Sequence, residues 1–220
     1  MILSIKYLLI TFVKFIKNIK HLRLTPKKKY HNDLYLVSFP RSGSTWLSFL
    51  IANIIAIKNS INYKITQFNI HMWLPDIHVT RNIAKNLKLQ FPFYRIIKSH
   101  SIFNPYYNYV LYLIRDPRDV LISYHKFLTQ QNSYDGSLSY FIRDKKYGIK
   151  AWVDHIDSWW TIKSAAISIF FIKYEDIKND PEKLLKDIFI NNLGLDIETE
   201  NFTKAIAKSN FKKLKKEEKN

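Results

Sequence analysis

The stretch Leu34-Tyr35-Leu36-Val37-Ser38-Phe39-Pro40-Arg41-Ser42-Gly43-Ser44-Thr45-Trp46 decides the fold. Residues 34–39 form a short apolar run that predicts a buried strand. Pro40 to Gly43 predicts a tight turn. Leu47, Leu50, Ile51, Ile54 and Ile55 then recur at helical spacing. In such a strand–loop–helix, small residues let backbone N–H groups and a helix N-terminus face an anion. Ser44 and Thr45 add hydroxyl donors, and Arg41 adds a charged fork. An ordinary strand–helix turn has the same outline, so the loop alone does not fix a chemistry. It is not the phosphate loop of nucleotide kinases. That loop needs two glycines and a Gly-Lys-Ser/Thr ending, and here only Gly43 is present.

Working outward, residues 94–98, 109–115 and 168–173 are further short strand candidates. Asp116-Pro117 opens a helix, with Asp as N-cap, Pro in the first turn and Asp119 beyond. Val120, Leu121, Tyr124, Phe127 and Leu128 line one of its faces. Residues 150–163 read as another helix. Asp180-Pro181 repeats the cap for a helix over 181–191, with Gly194 at its exit. Strands alternating with helices predict an α/β domain, with a mostly parallel central sheet flanked by helices. Ligands of such sheets bind beyond the carboxyl ends of the strands. Residues 58–94 and 129–150 carry no readable pattern.

Two more constellations fall at predicted strand ends. Arg115-Asp116-Pro117-Arg118-Asp119, with Ser123 two helical turns on, would grip a second anionic group through Arg115 and Ser123. Taken alone it is also an ordinary helix cap with a surface ion pair. Lys98-Ser99-His100 places a cation and an imidazole where a reaction centre would lie, although a lone histidine is more often structural. His71, His78, His125 and His155 have no metal-ligand spacing and are read as structural.

Taken together and in this order, these segments resemble the sulfotransferase superfamily. The loop is similar to that family's 5′-phosphosulfate loop, Tyr-Pro-Lys/Arg-Ser-Gly-Thr-Thr-Trp, with Phe39 for the Tyr and Ser44 for a Thr. The segment from Arg115 to Ser123 resembles its 3′-phosphate element. Lys98-Ser99-His100 resembles its Lys-Thr-His, whose His is the catalytic base. Tyr174-Glu175-Asp176 is similar to a segment whose Tyr touches the nucleotide, and residues 152–160 look like a helix of bacterial members. Ser209-x-Phe211-x-x-Leu214 resembles the segment whose Ser/Thr and Phe contact the adenine.

The resemblance spans roughly 34–214. It implies the P-loop NTPase-like sulfotransferase fold and 3′-phosphoadenosine 5′-phosphosulfate (PAPS) as co-substrate, without a metal. His100, Lys98 and Arg41 are then the catalytic residues. Arg41, Ser42, Gly43, Ser44, Thr45, Trp46, Arg115, Ser123, Tyr174, Ser209 and Phe211 are then the nucleotide-binding ones. The acceptor would be a hydroxyl or amine of a small molecule, carbohydrate or lipid. The family's next element, Arg-Lys-Gly-x-x-Gly-Asp-Trp, is not matched by residues 212–220, where Lys212, Lys213, Lys215 and Lys216 stand. This departure admits a truncated domain, or a nucleotide-binding descendant at membranes with weak or lost turnover.

The net charge is +17, yet residues 1–30 hold eight Lys/Arg and no acid, and residues 204–220 hold seven Lys against two Glu. The basicity thus sits mostly in the flanks, which argues against a nucleic-acid partner. With no cysteine, a disulfide framework or thiolate metal site is excluded. Residues 1–30 read as a basic amphipathic segment before a domain over 31–220. On a helical wheel Lys6, Lys14, Lys17 and Lys20 oppose Ile5, Leu8, Phe12, Phe15, Ile16 and Ile19. That suits a helix in a membrane interface or one packed on its own domain; the lysines interrupt it too often for a typical spanning helix. The expected location is cytoplasmic, with peripheral membrane contact through residues 1–20.

Overall fold

The computed structural model describes residues 30–79, 95–162 and 167–210. The expectations for residues 1–30 and for Phe211 therefore fall outside the described residues, apart from Tyr30. Four parallel strands are present among the described residues: β1 (Leu34–Ser38), β2 (Ile96–Ser99), β3 (Tyr109–Ile114) and β4 (Ser168–Lys173), in the order β2-β1-β3-β4. β1 is buried along its whole length, as its continuous apolar run requires of a central parallel strand. It pairs with β2 on one side (Leu36 opposite Lys98) and β3 on the other (Leu36 opposite Leu111). Chain order reverses at β1, so the loop after it opens at the switch point of the sheet, where ligands of such folds bind.

Successive side chains of β1 enter opposite cores. Leu34 and Leu36 join the larger one, built with α1 (Ser44–Lys58), α6 (Tyr174–Asn179), α7 (Pro181–Lys186) and α8 (Thr199–Lys208). Tyr35 and Val37 join the other, with Tyr107, Tyr112 and Trp159. The spacing of Leu47, Leu50, Ile51, Ile54 and Ile55 anticipates one apolar face for α1. The helix also buries Phe49, Ala52, Asn53 and Ala56, because the sheet covers one side and α8 the other.

The predicted boundaries hold to within a few residues, with two physical differences. The helix expected over 150–163 is α5, Ile149–Trp160; its last carbonyls are closed at Thr161, whose N–H reaches Asp157 O. The helix expected over 181–191 is α-helical only to Lys186 and continues as a π-helical turn, Asp187–Asn192, before Gly194 leaves with φ 62°. Asp116 caps α3 (Pro117–Gln130) by accepting from Arg118 N at 2.9 Å, as its position predicts.

The unread stretches hold α2 (Ile70–Trp73), a one-residue parallel bridge from Asp76 to Lys98, and α4 (Leu138–Arg143) with Ser137 as its cap. Among the described residues no helix is long and apolar enough to cross a membrane.

Trp159 of α5 is fully buried, and its indole N–H donates to Ser101 O at 3.1 Å, just past His100. Trp159→Ala should lower the unfolding free energy by about 3–5 kcal/mol, as large-to-small changes in packed cores do. Urea denaturation measures this.

Candidate active site

Arg41, Lys98, His100, Arg115 and Tyr174 lie at the carboxyl ends of β1, β2 and β3 and at the start of α6, with Ser123 on α3 and Ser209 just past α8. The loop after β1 turns through two left-handed residues, Arg41 at φ 67° and Gly43 at φ 98°. Gly43 is required twice over. A side chain there would be strained, and its Cβ would lie only 2.4 Å from Cδ2 and 2.5 Å from Cε2 of Tyr174. Gly43 gives α1 no side-chain cap, so the first-turn N–H groups of a 15-residue helix stay available. Ser42 and Ser44 are buried in this turn, while Thr45 is exposed.

The second predicted anion element meets the loop directly. Arg41 Nε donates to Ser123 Oγ at 3.4 Å, and the Arg41 guanidinium lies 4.6 Å from the centre of the Phe127 ring. Arg115 Nη1 reaches Arg41 O at 3.5 Å, Nη2 pairs with Asp119 at 3.1 Å, and the guanidinium sits 4.4 Å over the Tyr174 ring. Two buried polar atoms here have no hydrogen-bond partner: Ser42 Oγ and Arg115 Nε. A buried donor left unmade is costly, so both fit anionic oxygens of a ligand.

Three of the expected nucleotide-binding residues, Trp46, Tyr174 and Ser209, lie together. Trp46 meets Tyr174 edge to face at 5.9 Å and donates from its indole to Ser209 O at 3.0 Å. Ser209 is buried, and its hydroxyl receives Asn53 Nδ2 at 2.9 Å.

Lys98 and His100 stand at the end of β2. His100 Nδ1 donates to Ser38 O at 2.8 Å, since a carbonyl only accepts. That fixes the proton on Nδ1 and leaves the lone pair on Nε2. Burial, and then the neighbouring Lys98 charge, hold this imidazole below its ordinary value, at about 4, against opposing contributions from Ser38 and Asp76. It is therefore neutral at neutral pH. Lys98 Nζ lies 3.4 Å from Asp76.

Sequence reasoning missed Asn53 and Asp76, and it read His78 as structural with no link to the site. Asn53 sits in an otherwise apolar helix, and a polar residue among buried positions was the available signal. Asp76 and His78 reach the site through non-periodic chain. Among the described residues no cluster of three or more His, Cys, Asp or Glu is arranged to hold a metal.

A parallel α/β sheet carrying a non-Walker anion loop, a second cationic grip and a neutral imidazole beside them defines a nucleotide-dependent group transferase. The model of the sulfotransferase domain matches residues 31–220. Sulfotransferase 1E1 of Cavia porcellus is 30% identical over 93% of the chain and 71% of its own length. Sulfotransferase 1A1 of Rattus norvegicus is 24% identical over 84% of the chain and 67% of its own length.

Among solved structures, mouse sulfotransferase SULT7A1 complexed with PAP superposes with a TM-score of 0.61 at 24% identity, covering 84% of this chain and 66% of that one. A retinol dehydratase in complex with androsterone and inactive cofactor PAP gives 0.63 at 18%, covering 86% and 67%. The chain belongs to the sulfotransferase family, and it spans about two thirds of the length of these relatives.

Gly43→Ala should destabilise the protein and disrupt the loop. Tyr174→Ala in the same chain should recover only part of the loss, because the left-handed φ remains. Thermal melts of the single and double variants check this; full recovery would show that the ring alone demands glycine.

Proposed function

We propose that this chain is a PAPS-dependent sulfotransferase with His100 as its general base. The observation that carries the reading is the pairing of two unsatisfied buried donors, Ser42 Oγ and Arg115 Nε, with an imidazole held as the Nδ1–H tautomer. The loop amides after Gly43, with Ser42, Ser44 and Thr45, would hold the 5′ end of the nucleotide. Arg115 and Ser123 would hold its 3′-phosphate, and Trp46, Tyr174, Ser209 and Phe211 would frame the adenine. Complexes of relatives with PAP support the co-substrate.

His100 Nε2 takes the proton of the acceptor hydroxyl or amine as the acceptor atom bonds to sulfur. The bond from sulfur to the bridging oxygen breaks, and that oxygen keeps the electron pair. Arg41 stabilises the charge growing there, and Lys98 stabilises the sulfuryl oxygens. Asp76 holds Lys98 in place until then. The acceptor is a small molecule, carbohydrate or lipid; androsterone and retinol in complexes of relatives support an apolar alcohol. The domain runs over residues 31–220, and the opposed lysine and apolar faces of residues 1–20 support peripheral contact with a membrane from the cytoplasm.

Calorimetric titration with PAP tests the co-substrate. PAP should bind more tightly than ATP, and Arg115→Ala should abolish the preference; a folded protein that binds neither would overturn the reading. His100→Ala should lower turnover by about 10²–10⁴-fold while PAP binding stays. The base form of His100 exists above its titration point, which lies near 4. Turnover should therefore hold as pH falls through 6.5 and be lost as His100 becomes protonated near its titration point. A pH–rate profile measures it.

A further inference from the structure

The peptide units flanking His100 are held on both sides by other histidines. On one side, the backbone N–H of His100 donates to His78 Nε2 at 2.8 Å. On the other, His155 Nε2 lies 3.3 Å from His100 O. The partners fix each ring's tautomer. A backbone N–H only donates, so His78 Nε2 carries no proton. A carbonyl only accepts, so His155 Nε2 does carry one, and its Nδ1 must accept.

Nδ1 of His155 does accept, from Tyr112 OH at 2.6 Å. Burial raises the Tyr112 phenol far above its ordinary value, so the phenol stays a donor at any working pH. His155 is 4% exposed, and Tyr112 is fully buried.

We infer that His78 and His155, the latter oriented by Tyr112, are positioning residues that fix the main chain of His100 on both sides. The side chain of His100 is tied separately, by Nδ1 to Ser38 O. That third bond forms only if the Cα of His100 is correctly placed. Three bonds from three elements thus set one imidazole: β1 through Ser38, the segment after α2 through His78, and α5 through His155.

The His78 segment is itself sewn to β2. Lys98 N donates to Pro75 O at 2.9 Å and Ile77 N to Lys98 O at 3.0 Å. The rings of His78 and His100 lie 5.9 Å apart at 27°. His78 therefore moves with the strand that carries the base. Preorganisation of this kind raises turnover without changing how the nucleotide binds.

The inference rests on His100 being the base, but its test does not need turnover. In the ¹⁵N-labelled full chain, side-chain nitrogen shifts report the tautomer of His100, and hydrogen exchange reports its amide. Wild type should show one Nδ1–H tautomer. His78→Leu removes the acceptor; the His100 amide should exchange about tenfold faster, the cost of one net hydrogen bond, and the ring should populate both tautomers. His78→Gln keeps an acceptor oxygen and should restore both signals. Tyr112→Phe should mix the tautomers of His155 while the core stays packed. PAP affinity should not change in any of them, and turnover on 2-naphthol should fall through kcat rather than KM.

Unchanged exchange and tautomer in folded His78→Leu would overturn the inference. So would a His78→Gln variant as impaired as His78→Leu. Where wild type fails to bind PAP, the assignment of the co-substrate falls and the tautomer measurements still decide the positioning roles.

Discussion

The site depends on one close approach. Gly43 lies so near the ring of Tyr174 that no side chain fits between them. The contact ties the loop after β1 to the start of α6, which follows β4. Because β1 is the central buried strand and β4 an edge strand, it closes the sheet's carboxyl end from both sides. The rest stacks on the same ring: Arg115 lies over its face and Trp46 meets its edge. Trp46 in turn fixes Ser209 through its indole. The left-handed turn and the close aromatic wall thus both converge on Gly43.

Charge is distributed unevenly around this frame. Arg41 and Arg115 are brought together by the Arg41 carbonyl, a backbone acceptor, with no carboxylate between them. The Arg41 guanidinium rests against Ser123 and the Phe127 ring, and that of Arg115 over the Tyr174 ring. Asp119 offsets one of them from an exposed position, where screening is strong. The imidazole of His100 is kept neutral by burial first and by the Lys98 charge second.

Much of this was legible in the sequence. The continuous run 34–39 identifies a strand buried on both faces, and the Asp-Pro pairs mark two helix starts at their observed residues. Arg41, Arg115 and Ser123 are legible as cations and a hydroxyl beside predicted strand ends, whereas Trp46 and Tyr174 are legible only through the family resemblance. The partners of the partners were not legible. Asn53 binds Ser209 across 156 positions, and His78 reaches His100 across 22, from a stretch with neither helical nor strand periodicity. His155 lies on the inward face of a regular helix, where a buried histidine looks like any satisfied core residue. Such pairings follow from tertiary packing, which no local pattern encodes. The π-helical turn after Lys186 is a similar case, since its sequence reads as ordinary helix.

The Gly43 turn and Arg115 together form one proposed nucleotide site. A crystal structure of the chain with PAP tests it most directly. The account predicts the 5′-phosphate against the amides of residues 42–45 and the 3′-phosphate on Arg115 and Ser123. Adenine would then lie beside Trp46. A saturated crystal with the phosphates bound elsewhere, or with the nucleotide reversed in the site, would contradict it.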